Sequence, residues 1–120
     1  MPDIWLNKVY SILAANEDKD FVTRILEPEK APSIKNDDGT YSSHKMAVEV
    51  GNALGEKNDK WYVFPTIIRQ DDGSLKDFAK WQKAWPEAKK RGDYIEFDSF
   101  SEADWFEKNW KRMWGHAPRE

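Results

Sequence analysis

The chain contains no cysteine, which removes disulfides, thiolate nucleophiles and cysteine-ligated zinc or iron–sulfur sites in one step. It has no run of about eighteen apolar residues, so no segment reads as a membrane-spanning helix. The opening MPDIWLNKVYSILAANEDKD has acidic flanks and an apolar stretch broken by polar positions, unlike a secretory leader. The 6 glycines stand singly at 39, 51, 55, 73, 92 and 115 and never crowd ahead of a helix as a phosphate-binding loop demands. The 2 histidines, His44 and His116, have no second ligand at helical spacing. They read as a polar side chain at a strand entrance and as part of a frayed end. An excess of positive charge is also missing: Lys+Arg total 19 against 22 Asp+Glu, a formal net charge of −3. That balance argues against a protein held to nucleic acid by a basic surface.

What is present is enough for one small domain: 120 residues, 39% hydrophobic and 34% charged. Trp5, Val9, Ile12 and Leu13 share a stripe behind Pro2 and Asp3, which predicts a helix over roughly 3–15. Phe21, Val22, Ile25 and Leu26 repeat the pattern until Pro28 stops it, predicting a second, shorter helix. The stretch PEKAPSIKNDDGT, with two prolines and an Asp-Asp-Gly turn, reads as a connecting loop that leads into extended chain. Met46, Val48 and Val50 alternate as one buried face of a strand. The run WYVFPTII is apolar on both faces, so it is a strand covered on two sides or one whose outer face meets a partner. Pro65 within it offers no ladder donor and belongs at an edge or a bulge.

Asp71, Asp72 and Gly73 then form a turn, and Phe78, Trp81 and Trp85 a helical stripe. Pro86 ends or kinks that helix, or opens a further turn that Gly92 closes in the left-handed conformation. Residues 94–97 make a third short strand. In SFSEADWFEKNWKRMWG, Ser101 with Asp104 resembles a capping box. Ala103, Phe106, Trp110 and Met113 form the apolar stripe, and Gly115 the stop. The expected class is α+β, with a β-hairpin plus a third short strand packed against two to three helices over 31–120. A helical N-terminal arm spans 1–30.

Carboxylates pair at Asp37–Asp38, Asp71–Asp72 and Glu96–Asp98, and a hydrolase needs two such groups with separated proton affinities. Nothing favours one pair, and two of the three sit in Asp-Asp-Gly turns where carboxylates cap backbone donors. Tryptophan is the outlier, with 7 residues at 5, 61, 81, 85, 105, 110 and 114. Each buries on the order of 200 Å² when enclosed, and a domain this small has few central positions, so some must lie at a rim or an interface. Trp105 lies about one hundred degrees round the last helix from Phe106, beside Asn109 and Arg112, and is expected partly exposed. An outward cluster of Trp105, Arg112 and Trp114 suits protein–protein contact. The same residues also suit simple covering of rings by long basic stems.

Taken together, NDDGTYSSHKMAVEV, WYVFPTII and EAKKRGDYIEFDSFSEADWFEKNWKRMW resemble a small domain that recurs in tailed-bacteriophage proteins. The matching residues are Asp38, Gly39, Ser43, Met46, Phe64, Pro65, Thr66, Ala88, Gly92, Phe97, Asp98, Ser99, Glu102, Ala103, Asp104 and Phe106. The likeness covers about residues 36–114; the inserted LKDFAKWQKAW and the tryptophan load depart from it. It implies a place in or beside virion and DNA-ejection proteins and brings no catalytic residues with it.

The reading is a non-enzymatic bacteriophage protein, a small virion structural or assembly component. It works through Trp105, Arg112, Trp114 and Pro65, without catalytic residue, metal or cofactor. Its partner is a phage head or tail protein or another copy of itself. Neither nucleic acid nor membrane is expected, and the location is the virion or the host cytoplasm. Two alternatives stay open. One is a phage-encoded inhibitor of a host defence or metabolic protein, whose basic cleft the acidic charge would suit. The other is a metal-dependent hydrolase.

Overall fold

The computed structural model describes residues 4–27, 34–35, 41–42 and 44–114. Two helices open the chain, α1 (Ile4–Ala15) and α2 (Asp20–Leu26). A short antiparallel pair follows, β1 (Ile34–Lys35) with β2 (Tyr41–Ser42), in the segment read as loop and extended chain. Strand β3 (Met46–Val50) runs into a single helical turn, α3 (Gly51–Leu54). Strand β4 (Trp61–Pro65) and the hairpin of β5 (Ile67–Arg69) with β6 (Leu75–Asp77) come next. Helix α4 (Trp81–Arg91), strand β7 (Ile95–Phe97) and helix α5 (Phe100–Asn109) complete the fold, with a 3-10 turn over Trp110–Trp114. The class is α+β.

The central sheet has the order β3-β4-β7, antiparallel throughout, with Val48 opposite Val63 and Val63 opposite Ile95. Because side chains alternate across a strand, β4 feeds two cores. Val63 and Trp61 face Val9, Leu13, Phe21, Val22 and Ile25 of α1 and α2, together with Phe106 of α5. Tyr62 and Phe64 face Ala84, Trp85 and Ala88 of α4, together with Ile68. The double apolar face of WYVFPTII is thus satisfied inside the molecule. The helices assigned to a separate arm share one core with the sheet and the last helix.

Several expectations are corrected. Pro65 is fully buried at the end of the central strand rather than on an edge. Its backbone position explains why it is tolerated. Thr66 donates its N–H to the Lys45 carbonyl at 2.8 Å on the β3 side, so the preceding nitrogen turns toward β7, whose pairing stops at Val63. Thr66 also breaks the long apolar run, and Ile67 departs to pair with β6. Phe78 lies before α4 instead of on it, and the helix runs unbroken through Pro86. Pro86 and Gln82 are both exposed, and Pro86 offers the Gln82 carbonyl no helical donor. The cap of α5 is Ser99, not Ser101: its Oγ accepts from the Glu102 N–H at 3.3 Å and donates to Glu102 Oε1 at 3.4 Å. Gly92 closes α4 in the left-handed region at φ 67°, as the sequence predicts. Gly115 and His116 lie outside the described residues.

Two substitutions test this packing by urea unfolding. Phe106→Ala, at a fully buried ring against Phe97, is expected to cost about 3–5 kcal/mol. At Gly51 an added methyl would overlap the Asn58 side chain and its backbone oxygen, so Gly51→Ala is expected to cost about 1–3 kcal/mol.

Candidate interaction surface

Trp85 and Trp110 are buried, while Trp61, Trp81 and Trp105 are half-buried. Trp5, on the first turn of α1, is 46% exposed. Trp114 closes the final turn as backbone, and its side chain lies outside the described residues. Fourteen per cent aromatic content therefore does leave rings at the surface, but the most open of the tryptophans whose side chains are described, Trp5, is one that the helical stripe assigns to the core.

The α1 and α5 helices bring Trp5 edge-on to Trp105, with ring centroids 6.2 Å apart and planes at 73°. The Lys8 ammonium sits 4.2 Å from the Trp105 ring centre, and the Arg112 guanidinium 4.7 Å from that of Trp5. Arg112 is further fixed by donating from Nε to Asn109 Oδ1 at 2.9 Å, and Asn109 donates to the Trp105 carbonyl at 2.7 Å. Trp105 and Arg112 are thus brought to one place, as expected, though Arg112 covers Trp5 rather than Trp105. Pro65 is absent from it. Basic stems cover the rings, while Trp5 and its neighbour Ile4, 71% exposed, still face solvent. Lys8 and Trp5 were missed because a helix stripe says which side is apolar and not where along it the cover ends. A second aromatic pair, Trp61 with the 50% exposed Phe100, stacks edge-on at 4.8 Å at the other flank of α5.

The carboxylate pairs have structural employment. Asp72 Oδ1 accepts from the Ser74 hydroxyl at 2.6 Å and its N–H at 3.0 Å across the β5–β6 turn, which holds its carboxyl below the usual range. Glu96 accepts from the Tyr62 hydroxyl at 2.9 Å, and Asp98 pairs with Lys60 at 2.6 Å. Asp37 and Asp38 lie outside the described residues. Among the described residues no group of three or more His, Asp or Glu is placed to hold a metal ion.

One polar network is built around two buried groups, Arg24 and Asp93. Arg24 is tied to Asp20 at 3.0 Å and donates from Nη2 to the Ile67 carbonyl at 2.8 Å, while Arg69 reaches the other Asp20 oxygen at 3.0 Å. Asp93, just beyond α4, accepts the Phe21 N–H at 2.9 Å and so pins the start of α2 to the α4–β7 junction. Burial pushes the Asp93 carboxyl from 3.8 up to about 6, against the pull of the Phe21 N–H and the Arg24 cation. Burial, and then the Arg24 cation, draws His44 from 6.5 down to about 4. The His44 ring lies 5.7 Å from that of Trp110, which makes it a packed residue at the entrance to β3. These groups join α2 to the sheet; Arg24 and Asp93 are closed to solvent, while Asp20, Arg69 and His44 are half-buried, and the shifted proton affinities of Asp93 and His44 act on folding.

The two shifts oppose each other. Between pH 4 and 6 the folded protein keeps a proton on Asp93 that the unfolded chain releases, so this group's contribution to stability falls as pH rises. Over about the same window the unfolded chain protonates His44 while the folded protein does not, so that contribution rises with pH. The wild type is expected to show a shallow profile of melting temperature against pH. Asp93→Asn should steepen the loss of stability on acidification, and His44→Gln should reverse its sign. Parallel profiles for all three proteins would contradict the assignment. Compared with known proteins, the chain matches no family model, no curated protein and no solved structure.

Proposed function

We propose that the protein is a non-enzymatic binding protein, a small bacteriophage virion or assembly component, that engages a protein partner through the aromatic face built by the start of α1 and the end of α5. The observation that carries the binding role is the exposure of Ile4 and Trp5 beside rings and cations already locked in place by Trp105, Lys8 and Arg112. Tryptophan and arginine dominate interface hot spots because they combine large apolar area with directed polar contacts, and a pre-positioned ring loses little freedom on binding. The phage context rests on the resemblance over residues 36–114. Several of its residues have folding roles here: Thr66 ends β4, Gly92 closes α4 and Ser99 caps α5.

Mass spectrometry of purified particles, together with pull-down from infected cells, tests this reading. Stoichiometric presence in the particle supports it, and absence from the particle sinks the virion role in favour of a free inhibitor. For the surface itself, Trp5→Ala is expected to lower unfolding stability by about 1 kcal/mol while weakening partner capture about thirtyfold or more, as hot-spot truncation does. Undiminished capture by Trp5→Ala would move the contact elsewhere.

A further inference from the structure

Strand β3 forms one edge of the central sheet. It pairs with β4 in continuous register from Met46 to Val50, with no bulge, proline or glycine inside it, and no strand pairs with its other side. The two ends of the ladder show which way its main-chain groups turn. Thr66 donates its N–H to the Lys45 carbonyl at 2.8 Å, and Gly51 donates to the Lys60 carbonyl at 2.7 Å. The odd-numbered residues of this stretch therefore aim their backbone polar groups at β4, while Met46 and Val48 aim theirs away from it. For those outward groups neither residue has a hydrogen-bond partner among the described residues. Such an edge is a template for another strand unless charge, proline or a bulge blunts it.

Two charged side chains flank the edge, and their signs are opposite. Lys45, Ala47 and Glu49 share the α4 side of the strand, where Ala47 packs against the core of Tyr62, Phe64 and Trp85. Glu49 is half-buried and faces no cation among the described residues, and burial raises its carboxyl above the usual range. Lys45 reaches Asp77 at 3.0 Å while its side chain stays 48% exposed, and an ammonium has further donors for a second carboxylate.

We propose that β3 is a dimerisation strand: the edge of one copy pairs antiparallel with that of a second copy about a two-fold axis at Ala47, joining two three-stranded sheets into one. Backbone and side chains agree on this register. It sets Met46 of each copy opposite Val48 of the other, the positions whose outward groups are unmet, and each of the two pairs exchanges two main-chain hydrogen bonds. It also sets Lys45 opposite Glu49, twice by symmetry, and so gives the Glu49 carboxylate the cation it lacks. Moving the axis to Val48 keeps the backbone bonding but sets Glu49 opposite Ala47 and leaves both carboxylates unmatched. Charges that blunt an edge repel when copies meet, whereas Lys45 and Glu49 straddle Ala47 and attract; this complementarity to itself makes a second copy the occupant. The contact is isologous and stops at two copies. None of Ile4, Trp5, Lys8, Trp105 and Arg112 takes part in it, so this surface and the aromatic face stand independently.

Sedimentation velocity of the full chain over a concentration series, with hydrogen exchange read at the same concentrations, tests the proposal. The wild type should form a reversible dimer and nothing larger. As the dimer fills, the Met46 and Val48 amides should gain protection, whereas those of Ala47 and Glu49 are held by β4 throughout. Lys45→Glu and Glu49→Lys each set like charges opposite one another at two places, and each should weaken association about tenfold or more with an unchanged circular dichroism spectrum. Mixed in equal amounts, the two variants regain complementary pairs and should form a heterodimer about as tight as the wild-type dimer. Should Lys45→Glu prove less stable for loss of its Asp77 pair, Glu49→Gln leaves that pair intact and should still weaken association. A wild type that is monomeric up to about 1 mM overturns the proposal. So does association indifferent to both charge reversals, growth beyond two copies, or protection of the Met46 and Val48 amides that requires a different protein instead of a second copy.

Discussion

A strand that is apolar on both faces has to be covered twice, and this requirement organises the whole molecule. Strand β4 sends Trp61 and Val63 to one side and Tyr62 and Phe64 to the other. The first pair is met by the two N-terminal helices and α5, the second by α4. Burying aromatic and branched side chains at this density is the dominant favourable term in so small a domain. The polar network of Asp20, Arg24, Arg69 and Asp93 then fastens α2 to the sheet and to the α4–β7 junction. Removing one partner of such a buried group costs more than the interaction contributes, because the other is left without compensation.

Much of this organisation was legible in the residues. Helix periodicity located α1, α2 and α5 closely, since each carries a stripe of large apolar side chains that has no other use. The alternation of Met46, Val48 and Val50 marked β3, although its residues are half-buried rather than clearly two-faced, because β3 is an edge of the sheet. Gly92 was read correctly because a helix that ends in the left-handed region strongly favours glycine. The β5–β6 hairpin was not legible: Asp71-Asp72-Gly73 announced a turn, but Leu75–Asp77 is too short and polar to read as a strand. Phe78 was misassigned because its spacing to Trp81 and Trp85 mimics a helix that begins only at Trp81.

At the surface, the sequence pointed to the right helix and to Trp105 and Arg112, while the tertiary fold supplied Trp5 and Lys8 from almost a hundred residues away. Pro65 was misplaced for a related reason. A missing N–H is compatible either with an edge or with the end of a central strand beyond its neighbour's reach, and only the length of β7 decides between them.

The attachment of the amino-terminal helices also governs when the protein is able to fold. The Phe21 amide meets its acceptor 72 positions downstream, and the hydrophobic partners of both helices lie at Val63 and between Ile95 and Trp110. During synthesis on a ribosome these helices therefore lack their full native surface until the segment through Trp110 has emerged. Until then their greasy stripe stays available to chaperones, and the shared core closes as one cooperative unit.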